Sequence, residues 1–163
     1  MNDNLKVLEY AMEMEKQGRD FYLKNKDMIK DSKGKDLFEE LAAVEADHYE
    51  LLKKYHNYLS EEEQGDPLNL ENESKIFEKQ LEESNINFDT LNGSDLAIMR
   101  MAYIIENDFA EFYKNAAQST EDAAVKELLE ELAEWENGHR KVFYDRFNNM
   151  MQQNWFKQNF APF

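Results

Sequence analysis

Apolar positions return along this chain at alternating steps of three and four, the seam of a helix laid against others in a bundle. A first stripe reads Leu8, Ala11, Glu15, Gly18, Tyr22 and Ile29. A second reads Phe38, Leu41, Glu45, His48, Leu52, Tyr55 and Leu59. The third runs Leu96, Met99, Tyr103, Glu106, Ala110, Tyr113 and Ala117, and the fourth Leu129, Leu132, Glu136, His139 and Phe143. Each stripe is interrupted by a glutamate, and two of them by a histidine as well. Those side chains point inward, unlike the run Glu61, Glu62 and Glu63, which reads as solvated loop charge.

Breaks fall where helix caps are available. Asp31 and Ser32 can open the second helix, Ser94 the third, and Ser119 or Thr120 the fourth. The short connections near 30–34 and 118–122 predict two antiparallel hairpins, about 3–59 and 94–147. Residues 60–93 are long enough to cross over between them, with a short helix expected around Ile76 to Leu81. The predicted fold is all-α: one domain over 1–163, a four-helix bundle of two hairpins, ending in an aromatic tail or short helix over 148–163. Trp155, Phe156, Phe160 and Phe163 in that tail suit the cover of an open bundle end or a contact with another subunit.

The interruptions follow a repeat. Glu15, Tyr22 and Glu45-Ala-Asp-His48 recur as Glu106, Tyr113 and Glu136-Asn-Gly-His139, every element displaced by 91 positions. Ala11/Ala102, Phe21/Phe112, Leu37/Leu128 and Leu41/Leu132 repeat at the same offset, so the halves are similar hairpins about a pseudo-twofold axis. In a helix, residues i and i+3 share a face, so Glu45 with His48 and Glu136 with His139 can each grip an ion. Glu15 and Glu106 need only face the same level. Four carboxylates and two imidazoles form the ligand set of a two-metal site inside a helical bundle. Their charge balances two divalent cations with both histidines neutral; without metal the carboxylates are expected to be largely protonated. Tyr22 and Tyr113 can hydrogen-bond ligating carboxylates. The chemistry of the set suits iron, then manganese, with zinc allowed on affinity. His56 has no counterpart at the offset and reads as a surface or helix-end residue.

Composition narrows the setting. A formal net charge of −16 argues against nucleic acid and anionic membranes. The absence of cysteine excludes thiolate zinc, iron–sulfur and rubredoxin-type centres from these residues. No apolar run approaches a membrane span and no basic, apolar leader opens the chain, so a cytoplasmic protein is expected.

At Ala11–Tyr22, Glu45–His48, Glu106–Tyr113 and Glu136–His139 the chain resembles the ferritin-like superfamily, most closely the rubrerythrin-like di-iron proteins. The resemblance implies two iron ions held by Glu15, Glu45, His48, Glu106, Glu136 and His139. It implies an oxidoreductase that reduces hydrogen peroxide or dioxygen in oxidative-stress defence, with ferroxidase or iron-handling activity as the alternative. A bundle whose metal is merely structural is the third reading. The chain departs from peroxide-reducing rubrerythrins at Phe109, where they carry an extra glutamate, and in lacking their cysteine-ligated rubredoxin domain. An external rubredoxin-type donor would then supply electrons, and a homodimer is expected.

Overall fold

The computed structural model describes residues 3–60 and 93–157, without the side chains of several residues beyond 145. Among the described residues it contains four helices and no strand: α1 over Asp3–Lys26, α2 over Ser32–Leu59, α3 over Gly93–Ser119 and α4 over Ala123–Lys157. The two tight turns make α1 pack along α2 and α3 along α4, with a lighter α1–α3 contact joining the hairpins. The expected crossover, its short helix and the last six residues lie outside the described residues.

Asp31 caps α2 as the sequence suggests, accepting from Gly34 N at 2.9 Å. The start of α4 differs. Asp122 caps it, taking Ala124 N and Val125 N at 3.0 Å each. Thr120 instead donates to Asn4 Oδ1 at 2.9 Å, and Ser119 donates back to Asn115 O at 3.0 Å. α4 also continues past residue 147 to Lys157. The stretch Phe147–Lys157 has no Gly or Pro to stop it, and the first such breaker is Pro162.

Each hairpin's first helix reaches the turn of the other. Asn4 at the start of α1 holds Thr120, while the buried Asp95 at the start of α3 accepts from Lys30 N at 3.1 Å and Asp31 N at 3.2 Å. Asn4 and Asp95 are themselves 91 positions apart.

The core divides along the bundle. One apolar layer gathers Leu8, Leu51, Leu52, Tyr55, Tyr113, Val125, Leu128 and Leu132. The other gathers Tyr22, Phe38, Leu41, Ile98, Met99, Ala102 and Phe143. Between them lie Glu15, Glu45, His48, Glu106, Glu136 and His139, all buried. A polar layer walled by hydrocarbon at both ends is a low-dielectric setting, where unpaired charge is costly. No helix among the described residues is long and apolar enough to cross a membrane.

Candidate metal centre

The helical period brings the six predicted side chains to one level, and packing closes them around a common point. They form two overlapping groups: Glu15, Glu45, His48 and Glu136, and then Glu45, Glu106, Glu136 and His139. Within each group the candidate ligand atoms all lie within 4.8 Å of one another. Glu45 and Glu136, one from each hairpin, belong to both. Glu15 with His48 and Glu106 with His139 occupy the two flanks.

His48 Nδ1 stands 2.9 Å from Glu136 Oε1, 3.4 Å from Glu45 Oε2 and 3.5 Å from Glu15 Oε2. His139 Nδ1 stands 2.9 Å from Glu106 Oε2 and 3.0 Å from Glu136 Oε2. The imidazoles lie nearly parallel, their centroids 6.1 Å apart. Each therefore faces a carboxylate from another helix as well as the one three residues before it.

The tyrosines are crossed. Tyr22 on α1 donates to Glu106 Oε1 on α3, and Tyr113 on α3 donates to Glu15 Oε1 on α1. Both rings are fully buried. Burial first, then the nearby carboxylates, push both hydroxyls well above the ordinary tyrosine range, so they remain donors. By this exchange each hairpin orients a carboxylate of the other.

The protonation of the cluster follows the expectation of neutral carboxylates at Glu45 and Glu106 and departs from it at Glu136. Burial, then Glu136 and Glu15, raise Glu45 well above the carboxylate range. Burial also raises Glu106, against the pull of His139, to about 7. Glu136 goes the other way. Burial favours its neutral form, yet His48 and His139 together hold it well below the ordinary value. Burial alone would lower both imidazoles, but Glu136 and Glu15 raise His48 and Glu106 with Glu136 raise His139 to about 9. At Glu136 the proton goes instead to the facing imidazoles, which several carboxylates surround.

This donor set fits divalent metal. Glu15 Oε2 and both oxygens of Glu45 are buried and make no hydrogen bond among the described residues. Buried carboxylate oxygens without a donor are unfavourable unless a cation meets them. Carboxylate oxygen with imidazole nitrogen suits iron or manganese. His56 lies outside the centre, half-buried at the end of α2 and 3.3 Å from Glu9.

One neighbour was not anticipated. Trp135, immediately before Glu136, stacks on His48 with centroids 5.3 Å apart and planes at 19°. Its place beside a ligand candidate was visible in the sequence, but its partner lies on another helix.

A search of curated protein sequences gives no significant match. Among solved structures, a hypothetical protein from Pyrococcus furiosus is similar at a TM-score of 0.65 and 19% identity, over 92% of this chain and 91% of that one. That likeness establishes the ferritin-like fold. The rubrerythrin family model matches residues 6–147, a span that takes in the entire polar layer and both tyrosines, and the chain belongs to the rubrerythrin family.

Proposed function

We propose that this chain is a non-haem di-iron oxidoreductase of rubrerythrin type, reducing hydrogen peroxide or dioxygen in oxidative-stress defence. The observation that carries the reading is the sharing of Glu45 and Glu136 between two buried ligand groups. On this reading Glu15, Glu45, His48 and Glu136 would hold one ion, and Glu45, Glu106, Glu136 and His139 the other. Bound iron would supply a pair of electrons, enough to reduce a peroxide to water without releasing a one-electron product.

The chain's own residues do the rest. Tyr113 and Tyr22 fix Glu15 and Glu106 by hydrogen bonds, so neither carboxylate needs to reorganise to meet an ion. The apolar layers above and below exclude bulk water and strengthen each electrostatic contact. These residues hold no cysteine, and on this reading a rubredoxin-type donor supplies the electrons. We read the protein as a cytoplasmic homodimer, and sedimentation should return twice the chain mass.

Protein loaded anaerobically with ferrous iron should hold two ions per chain. Rapid mixing with peroxide should oxidise them at one peroxide per ion pair, and a reduced rubredoxin-type protein should sustain turnover. Absence of metal oxidation by both peroxide and dioxygen would refute the reading. Glu45→Ala and Glu136→Ala should each abolish the reaction.

A further inference from the structure

The repeat that sets Glu15 against Glu106 also sets Gly18 against Phe109, again 91 positions apart. Each lies three residues after its carboxylate, on the same face of its helix. The two positions meet. A Cβ placed on Gly18 would stand 2.9 Å from Phe109 Cε2, 3.1 Å from Cζ and 3.6 Å from Glu45 Cδ. The Phe109 ring and the Glu45 carboxyl thus border one small space, which an alanine at 18 would enter. Two symmetry-related positions share room for a single large side chain, and Phe109 fills it while Gly18 yields.

Glu15, Glu45, Glu106, Glu136 and His139 are wholly enclosed, while His48 and Phe109 keep 4% and 6% of their surface exposed. The Phe109 ring occupies the space on the Glu45 side of the centre. The α2–α4 flank repeats the arrangement. Val44 and Trp135 are also 91 positions apart, and the larger of them stacks on His48. On both flanks one aromatic side chain from the second hairpin packs beside the centre.

We infer that Phe109, seated against Gly18, is a specificity-determining residue that limits which small anions reach the ions beside Glu45. The inference rests on the two-metal reading above. A phenyl ring brings neither a ligand nor a proton, so its effect is exclusion. Its removal leaves a space bordered by the Glu45 carboxyl, and a space with polar walls admits water or a small anion where a purely apolar one stays dry.

The test uses the whole chain loaded with cobalt(II), with azide as the probe anion and visible absorption as the readout. Wild type, Phe109→Ala and Phe109→Leu are compared, after each is shown to hold two cobalt ions. Phe109→Ala should bind azide at least about tenfold more tightly than wild type, with Phe109→Leu between them. Equal azide affinity and association rate in wild type and Phe109→Ala, both fully loaded, would overturn the assignment and leave the metal reading intact. Should Phe109→Ala not take up cobalt, the same comparison of Phe109→Leu with wild type decides: equal affinity overturns the assignment. Failure of wild type itself to take up cobalt removes both readings.

Discussion

The crossed tyrosines make a prediction that a simple picture of two independent hairpins does not. Tyr113 lies on α3 yet donates to Glu15, whose partners Glu45, His48 and Glu136 form one ligand group. Tyr113→Phe removes a hydroxyl from a fully buried ring and leaves Glu15 Oε1 without its donor. A hydrogen bond to a charged group contributes about 1.5–3 kcal/mol, which is roughly 10- to 150-fold in an equilibrium constant. Loss of an outer partner to a metal ligand is expected to weaken metal affinity by about 10- to 100-fold, in the same range. The weakened position should be the one containing Glu15 and His48. Trp135 stacks on His48, so its fluorescence responds more strongly to an ion there than to one beside His139. In a Trp155→Phe background, where Trp135 is the remaining tryptophan, cobalt(II) titration should quench emission. Tyr113→Phe should shift the quenching midpoint upward by that factor, and Tyr22→Phe, which acts on Glu106, should shift it much less. Equal shifts, or a larger one from Tyr22→Phe, would refute the crossed assignment.

Further expectations follow from the same geometry. Asp95→Ala removes the buried acceptor for Lys30 N and Asp31 N in a part-buried turn; calorimetry should show a loss of about 1.5–3 kcal/mol, with cobalt stoichiometry unchanged. Gly18→Ala should destabilise by about 1–3 kcal/mol, because its Cβ meets the Phe109 ring, and Phe109→Ala should relieve most of that loss in the double variant; simple additivity would count against the contact. Glu106, raised to about 7, and His139, raised to about 9, both have folded values above their unfolded ones. Their contributions are complete below about pH 4.5 and 6.5 respectively, and are lost as pH rises through about 7 and 9. Chelator-stripped protein should therefore lose thermal stability between pH 6 and 9. Metal requires these groups deprotonated, so the gap in Tm between loaded and stripped protein should widen over that interval; a constant or narrowing gap would contradict the assignment.

The six central side chains were legible because each stands where the stripe demands hydrocarbon, and a polar residue is costly there unless something meets it. The repeat made the reading sharper, since an offset common to Glu15, Tyr22, Glu45 and His48 cannot be set by helical periodicity alone. Contacts between hairpins were not legible. Tyr22 lies seven residues from Glu15, about 10 Å along the helix axis at 1.5 Å per residue, and the spacing alone does not say which carboxylate its hydroxyl meets. Only packing supplies Glu106 as its acceptor. The cap of α4 failed for a related reason. Ser119, Thr120 and Asp122 all offer an oxygen to the free amides; Thr120 Oγ1 takes Asp122 N at 3.2 Å while donating to Asn4 of the other hairpin, and Asp122 takes Ala124 N and Val125 N. Protonation was hidden too, because it depends on which carboxylates face each imidazole across the bundle. The asymmetric covers follow the same logic. Equivalent positions of a repeat look independent along the chain, but near a pseudo-twofold axis they compete for one volume. A small residue in one copy and a large one in the other, as at Gly18 and Phe109, is then how two like halves close over a shared centre.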